Sequence, residues 1–387
     1  MLIERILNNL EKRRENAVNG NINCIPSPFK RFASKYPGIQ QGYYYLVSAS
    51  TKVGKSMISN YLYLYNPLLY SFYHKDKARV KIFYFNLEET EEVITLRFMV
   101  FLLYIFDNII ISPIELKSIE EGKPVSEDIL NKLKENPYKD ILAYYEECVE
   151  FKSVRNPTGI NNTIKAFCTQ NGTTYYKDQI ITNNITGESE TIKVFDYYKP
   201  NDENLYFITI IDHVSLLTLE QGMSIKQCID LLSSSYLVRL RNRYNVIPVV
   251  IQQQAADMES LDRIKSNKLR PTMNGLAESK LTARDANVML GLFSPYRHEM
   301  PEYLGYDVKR LKDNLRFLEV VINREGEANC ICPLYFVGQC NYFEELPLPT
   351  DPNIEKYYLK NEFINLMITK LIKFFKKDVK SIRCKHT

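Results

Sequence analysis

Residues 49–56 combine small, cationic and hydroxyl side chains in a spacing that suits phosphate chemistry. They follow the apolar run 43–47 and precede the helical pattern 57–64. In a loop between a strand and a helix, backbone N–H groups point at a β-phosphate, while Lys55 neutralises phosphate oxygens and the Ser56 hydroxyl ligates Mg²⁺. This context disfavours a chance Gly-Lys-Ser. The predicted nucleotide-binding loop consists of Ala49, Ser50, Thr51, Lys52, Val53, Gly54, Lys55 and Ser56.

Two acidic residues follow apolar runs and could complete a hydrolytic site. Nucleotide hydrolysis needs a carboxylate for the water shell of the metal and a base that aligns the attacking water. Asp212 directly follows the run 206–211, and Glu88 lies just after the run 81–85. We therefore predict that Asp212 is the metal-linked acid and that Glu88 is the base. From the residues alone the choice of base stays open, because three more glutamates follow: Glu89, Glu91 and Glu92.

These side chains must be positioned by strands, and six apolar runs are predicted to be strands: 43–47, 81–85, 206–211, 247–251, 288–292 and 317–322. Polar residues and then a helical pattern follow each of the runs 81–85, 206–211 and 247–251. This alternation builds a parallel sheet from βαβ units. The predicted fold class is therefore α/β.

The segment between two of these strands is unusually long. More than a hundred residues separate 81–85 from 206–211, which is far more than one crossover helix needs. Within it, 173–199 is rich in Thr, Asn, Tyr and Gly, and is predicted to be an inserted β-hairpin that turns at 183–187. Residues 1–20 are predicted to contain an amphipathic helix, which either packs on its own domain or docks as an arm on a neighbouring subunit.

Positive charge is concentrated at the carboxyl end. From Lys370 onward there are seven basic residues and one acidic residue, against 43 basic and 45 acidic residues before it. Within 351–387, residues 363–377 are predicted to form a basic amphipathic helix that either binds a protein, DNA or an anionic membrane face or packs on the core. The eight cysteines include no C-x-x-C pair, and neither a signal peptide nor a membrane span is predicted, so we expect a cytoplasmic protein.

Beyond the phosphate loop, short motifs occur in a recognisable order at 86–89, 211–213, 247–254, 270–279, 285–288 and 323–326. Their order and spacing over about residues 25–345 resemble DnaB-type replicative helicases. The three consecutive glutamines and the Asp-Ala-Asn piece are similar to the divergent helicases of large tailed phages, which implies a host cytoplasm. The resemblance implies a RecA-like P-loop core at 21–350 with a central, mostly parallel sheet, a short N-terminal linker helix and a C-terminal basic helix.

The resemblance also assigns roles to matching positions. It implies that Glu88 is the catalytic glutamate, Asp212 the metal-linked acid and Gln254 the glutamine that senses the γ-phosphate. Arg324 matches an arginine finger that reaches the nucleotide of the adjacent subunit. The resemblance therefore implies a homo-oligomeric ring, a hexamer, with ATP and Mg²⁺ as cofactors. Ile322 stands where the family commonly has a lysine, so the cationic pair is either reduced to Arg324 or completed from elsewhere.

The segment 278–284 corresponds to the loop that grips single-stranded DNA in that family. Ala277 replaces the family's arginine before Glu-Ser, which moves the cationic role onto Lys280. A ring brings several copies of one loop to one strand, so a few cations suffice. We expect Lys265 and Lys268 to be solvated. The DNA-binding candidates are Glu278, Lys280, Arg284 and Arg270.

The resemblance predicts an ATP-driven, ring-forming replicative DNA helicase that moves on single-stranded DNA, with primase or a loader as a further partner. One alternative is a RecA-type recombinase or repair ATPase, which forms filaments on DNA. Another is a nucleotide-gated assembly factor that unwinds nothing. The context of Arg324 favours the helicase over the recombinase, and the set of Lys55, Glu88 and Asp212 disfavours the assembly factor.

Overall fold

The structure is a computed structural model that describes residues 2–182, 189–260, 262–263, 266 and 269–360. The predicted hairpin turn at 183–187, the predicted helix at 363–377, Lys265 and Lys268 lie outside the described residues. In chain order the strands are β1 (Ile25–Pro26), β2 (Gly38–Ile39), β3 (Tyr45–Ala49), β4 (Arg79–Asn86), β5 (Val149–Phe151), β6 (Gly172–Thr182), β7 (Ser189–Pro200), β8 (Leu205–Asp212), β9 (Ile247–Gln253), β10 (Val288–Phe293), β11 (Glu302–Tyr303), β12 (Tyr306–Asp307), β13 (Leu315–Asn323), β14 (Cys330–Val337) and β15 (Tyr342–Glu345).

Helices cover both faces of the central sheet. They are α1 (Leu2–Val18), α2 (Lys55–Asn60), α3 (Asn66–Tyr73), α4 (Glu91–Asp107), α5 (Pro113–Leu116), α6 (Glu127–Lys134), α7 (Tyr138–Cys148), α8 (Pro157–Gln170), α9 (Ile225–Asp230) and α10 (Val238–Tyr244). Two short helices, Leu281–Asp285 and Val308–Leu311, follow. Wider π-helical turns, Tyr61–Tyr65 and Leu231–Leu237, join α2 to α3 and α9 to α10. None of the helices in the described ranges is long and apolar enough to cross a membrane.

Nine strands form one sheet in the order β15-β14-β13-β10-β3-β9-β8-β4-β5. The strands from β10 to β5 in this order are parallel to their neighbours, while β13, β14 and β15 are added antiparallel at one side. All six strands predicted from the sequence are present. The prediction of an α/β fold with a central, mostly parallel sheet is confirmed.

The residues around β3 explain why the sheet is covered on both faces. Tyr45 and Val47 belong to an apolar cluster that includes side chains of α4 and α7, and Tyr44 and Leu46 belong to a second cluster, on the other face, that includes side chains of α8 and α10. All four side chains are completely buried. A parallel strand that is buried on both faces appears in the sequence as an uninterrupted apolar run, and 43–47 is such a run.

The long segment between β4 and β8 contains the strands of the predicted hairpin. β6 pairs antiparallel with β7 from Gly172 opposite Pro200 to Thr182 opposite Ser189, and the two strands form a sheet of their own. At its base, the rings of Phe195 and Tyr198 contact Tyr244 of α10. The domain boundaries at 1–20, 21–350 and 351–387 remain predictions.

Helix α1 has its polar side towards the protein and its apolar side towards solvent. Lys12 pairs with Glu203, and the Asn23 side chain donates to the carbonyl of Arg13 at 2.8 Å. The apolar side chains are 71, 47, 53 and 57% exposed at Ile3, Ile6, Leu7 and Leu10. The apolar side of α1 is therefore not packed against the described part of its own chain.

Candidate nucleotide-binding site

The predicted phosphate loop connects the end of β3 to the start of α2. Gly54 has a φ of 105°, a left-handed conformation that side chains with a Cβ rarely adopt, and Lys52 has a φ of 61°. Helix α2 begins at Lys55 with no side-chain cap at its amino end. Its first N–H groups therefore have no partner within the helix, which is the arrangement that binds phosphate at a helix N-terminus.

Asp212 at the end of β8 lies beside this loop. Its Oδ1 atom is 3.9 Å from the Lys55 ammonium nitrogen, and the Tyr84 hydroxyl donates to its Oδ2 atom at 3.3 Å. The side chain is buried, and Oδ1 accepts no hydrogen bond from any described residue. Burial raises the pKa of Asp212, while the Lys55 ammonium and the Ser56 hydroxyl lower it.

This arrangement fits Mg²⁺. An orphaned, buried carboxylate oxygen beside a serine hydroxyl is a donor set that a hard cation prefers. The described residues contain no cluster of three or more His, Cys, Asp or Glu side chains suited to a metal. Mg²⁺ commonly needs only one or two protein ligands, because water and substrate phosphates supply the others. Ser56 and Asp212 could therefore hold Mg²⁺ together with a bound nucleotide.

Glu88 lies close enough to Asp212 to raise the pKa of that carboxyl. It follows β4, its side chain is exposed, and its Oε2 atom is 3.7 Å from Nε2 of His213, the residue after Asp212. Burial is the main cause that lowers the pKa of His213. Glu89 forms a bidentate ion pair with Arg97, so its carboxylate is engaged. The geometry thus separates Glu88 from the neighbouring glutamate that the sequence could not exclude.

Two glutamines at the end of β9 have different surroundings. The Gln254 amide is buried, and it donates to the Ser48 hydroxyl at 2.8 Å and to the Thr272 carbonyl at 3.2 Å. The preceding Gln253 is half-buried and donates to the Thr51 hydroxyl of the phosphate loop. Successive side chains of a strand point to opposite faces, which explains the difference. In the described conformation the Gln253 side chain contacts the loop, whereas Gln254 contacts it through its backbone N–H, which donates to the Ala49 carbonyl at 3.0 Å.

Sequence reasoning missed Arg316, a buried cation beneath the phosphate loop. Its Nε atom donates to the Val53 carbonyl at 2.8 Å, and its Nη1 atom donates to the Ser294 hydroxyl at 3.1 Å. The residue is 2% exposed, and its carboxylate partner Asp313 lies 2.9 Å away with a largely exposed side chain. A second arginine, Arg297, donates to the Thr51 carbonyl. The signal for Arg316 was a lone basic residue near the start of an apolar strand.

Arg324 lies at the other edge of the sheet. Because β13 runs antiparallel to β10, it ends where β10 begins, and the Arg324 N–H donates to the Asn287 carbonyl at 3.0 Å. Its guanidinium donates to the carbonyl of Arg284. The phosphate loop begins at the opposite end of β3, roughly 15 Å away at about 3.3 Å per residue. Arg324 is therefore remote from the phosphate loop of its own chain.

The DNA-binding candidates do not form one cluster. Lys280 and Arg284 are exposed and lie at the two ends of one helical turn. The Glu278 carboxylate accepts a hydrogen bond from the Ser215 hydroxyl at 2.8 Å. Arg270 forms an ion pair with Glu319 of β13 at 3.2 Å. Lys280 and Arg284 are thus the two basic candidates without an ion-pair partner among the described residues.

The environment of Arg316 predicts a specific nucleotide-binding defect. We expect Arg316→Met to weaken ATP binding about tenfold, or about 1.4 kcal/mol, because the Val53 carbonyl loses its donor. The unfolding temperature without nucleotide should also fall, because the Ser294 hydroxyl and the carbonyls of Asp313 and Leu315 lose the same donor, so ATP affinity is measured at a temperature where the variant is folded. Isothermal titration calorimetry and thermal unfolding measure the two quantities.

Arg316→Lys is the matched control for charge. It keeps the cation but lacks the Nε donor and the planar fork of arginine. If the hydrogen bond to the loop dominates, Lys also weakens binding; if the charge dominates, Lys restores it. Unchanged ATP affinity in Arg316→Met would remove Arg316 from the support of the loop.

No family model and no curated protein matches the chain. Among solved structures, an ATPase domain is similar with a TM-score of 0.62 and 15% identity, covering 89% of this chain and 99% of that chain. A DnaB-like replicative helicase, described with its interactions with primase, has a TM-score of 0.60 and 16% identity, covering 89% of this chain and 67% of that chain. The chain therefore has the fold that these two proteins share, and the predicted resemblance to DnaB-type helicases is confirmed at the level of the fold.

Proposed function

We propose that this chain is an ATP-driven, ring-forming DNA helicase of the replicative type that moves on single-stranded DNA. The observation that carries the proposal is a division of the site between two edges of the sheet. Lys55, Asp212 and Glu88 meet at the carboxyl ends of the parallel strands, whereas Arg324 lies at their amino ends. A catalytic site that is completed by an arginine from a second copy of the chain requires this arrangement, in which the arginine is far from the phosphate loop of its own chain.

The proposed hydrolysis uses the residues at the carboxyl edge. Lys55 and the first N–H groups of α2 bind the phosphates, and Glu88 accepts a proton from the attacking water. His213 lies within 3.7 Å of the Glu88 carboxylate and restricts its orientation. Ser56 and Asp212 would hold Mg²⁺, which supplies positive charge to the transferring phosphoryl group.

The proposed arginine finger acts between subunits. Arg324 is exposed, and the length of β3 separates it from its own phosphate loop. An arginine near the transferring phosphoryl group stabilises its developing charge. In the proposed ring, Arg324 of each subunit therefore completes the site of the next.

The exposed apolar side of α1 supports the same assembly. Isolated apolar residues on a surface are ordinary, but a row of four at helical spacing is typical of an interaction surface. Of the two interpretations of α1 from the sequence, the arm on a neighbouring subunit agrees with its orientation. We therefore propose a homo-hexamer in which α1 docks on the adjacent copy through Ile3, Ile6, Leu7 and Leu10.

The proposed DNA-binding surface uses the exposed Lys280 and Arg284. Their repetition around a ring would place cations along one single strand, which binds phosphates with little base preference. Primase or a loader is the proposed further partner, and one of the two similar structures is described with primase.

The catalytic assignment predicts opposite defects at two residues. Lys55→Ala should abolish ATP binding, because it removes the cation on the phosphates. Glu88→Gln should retain ATP but lower turnover by about 10²–10⁴-fold, the usual contribution of a general base. ATP binding and steady-state phosphate release measure both. Glu91→Gln is the matched control, and native turnover in Glu88→Gln would disprove the assignment of the base.

Gln253 and Gln254, at the end of β9, give a second prediction. If Gln253 senses the γ-phosphate through the loop, Gln253→Ala should lower turnover on ATP without weakening ADP binding. Gln254→Ala should instead lower the unfolding temperature, because it leaves the buried Ser48 hydroxyl without its donor. The reverse pattern, with turnover lost only in Gln254→Ala, would restore the original assignment to Gln254.

The finger assignment predicts complementation between two inactive variants. Arg324→Ala should lower hydrolysis by on the order of 10³-fold while ATP binding changes little. Mixed oligomers of Arg324→Ala and Lys55→Ala subunits should recover activity at interfaces that join an intact loop to an intact finger. Each variant alone, at the same total concentration, is the control. No recovery in oligomers that are demonstrably mixed would disprove action in trans.

A further inference from the structure

A second concave surface lies at the amino edge of the sheet, away from the phosphate loop. This cleft has a volume of about 660 Å³ and lies between α1, the end of β7 and the end of α10. β8 begins beside it at Leu205, so the length of the parallel strands separates it from Lys55. None of the residues assigned above to ATP or DNA lines this cleft.

The cleft is positively charged after its ion pairs are counted. Its three acidic residues all have cationic partners: Asp196 pairs with Lys177, Asp202 with Arg79 and Glu203 with Lys12. Other basic residues on its walls form no ion pair within 4 Å in the described part of the chain, although Lys199 is near enough to lower the pKa of Glu203: Arg5, Arg13, Lys77, Lys199 and Arg243. An anionic ligand would therefore meet an excess of positive charge from both walls.

Aromatic and amide side chains accompany these cations. The Tyr197 ring lies on the wall and stacks on Tyr175, with ring centres 4.4 Å apart and planes at 8°. Both tyrosines are more than a third exposed. Asn9 and Asn242 add amide groups. Cations that follow a backbone beside exposed aromatic rings are the combination that binds single-stranded nucleic acids.

We propose that this cleft binds a short segment of single-stranded nucleic acid. Arg5 and Arg13 on α1 and Lys199 on β7 bind phosphates, and a base stacks on the Tyr175–Tyr197 pair. The volume suits about one or two nucleotides. An acidic peptide would also match the charge, but it would make no use of the stacked rings. The proposal takes its ligand class from the proposed function and adds a surface that is separate from Lys280 and Arg284.

The orientation of α1 gives such binding a structural consequence. Arg5 lies on the polar side of α1, and Arg13, seven positions after Ile6, lies where the polar side meets the exposed apolar side. A strand bound in the cleft would link α1 to the base of the hairpin. The helix that we propose as the arm of the ring would then be held by nucleic acid on one side.

The test compares two charge-neutralising double variants of the full chain. Arg13→Gln with Lys199→Gln removes one cation from each wall, and the matched control, Lys134→Gln with Lys139→Gln, removes two exposed lysines elsewhere. The probe is a fluorescent 20-nucleotide oligothymidylate, titrated at several salt concentrations. We expect the cleft variant to bind about tenfold more weakly and to lose about 1.4 from its salt slope, since each single-strand phosphate contact contributes about 0.7. The control should match the native chain.

A second readout locates the strand. Oligothymidylate with 5-iodouracil should crosslink to Tyr197 on irradiation, and the crosslink should disappear in the cleft variant. Binding and salt slope equal to those of the control, or no crosslink at Tyr197, would overturn the proposal. So would preferential binding of polyglutamate to the cleft.

Lys280→Ala, measured in parallel, separates this proposal from the proposed function. If Lys280→Ala weakens binding and the cleft variant does not, the assignment of Lys280 to DNA binding is supported and the cleft proposal is wrong. If only the cleft variant weakens binding, the cleft proposal is supported and the assignment of Lys280 to DNA binding is wrong. A native chain that binds no oligothymidylate would overturn both.

Discussion

The common direction of β3, β4, β8 and β9 brings side chains that are far apart in the sequence to one edge of the sheet. Gln253 and Thr51 are 202 positions apart, yet their side chains are in contact. Lys55 and Asp212 lie close together because Asp212 ends β8 and Lys55 follows the loop at the end of β3, and the two strands are parallel. Ligands of open α/β sheets bind at this edge, and a β-strand that ran the other way would remove its residue from the site.

β13 is a strand that runs the other way, antiparallel to its neighbour β10. Its antiparallel direction carries Arg324 away from the carboxyl edge and leaves it beside Asn287 and Arg284. The same strand begins near the phosphate loop, where Arg316 donates to the Val53 carbonyl. One strand thus supports the loop of its own chain at its start and presents, at its end, the arginine that we assign to a neighbouring chain.

The amino edge has features that a single chain leaves unused. Helix α1 rests on polar contacts and exposes apolar side chains, and the cleft behind it has more cations than its acids neutralise. We propose a ligand outside the chain for each feature: a second copy for the apolar side and a nucleic acid strand for the cleft. The two proposals rest on different observations, the exposure of the apolar side chains of α1 and the charge of the cleft.

Much of the fold could be predicted because buried parallel strands appear as apolar runs, and 43–47 and 206–211 matched β3 and β8 closely. The loop was predictable because phosphate binding restricts residue types at consecutive positions. The side-chain contact of Gln253 with the phosphate loop could not be predicted, because the direction in which each of the adjacent glutamines points depends on the alternation of side chains at the end of β9. Arg316 was missed since its role depends on a carbonyl more than 250 positions away. The outward apolar side of α1 was left undecided, because amphipathic spacing does not say which side meets the protein.

The most direct test of the central claim is ATP-dependent displacement of a labelled strand from a forked DNA duplex, with particle mass measured under the same conditions. The account predicts displacement that requires a single-stranded arm and ATP, by particles of six times the chain mass of 45.3 kDa. ATP hydrolysis without displacement, or a monomer at micromolar concentration with ATP and DNA, would contradict it.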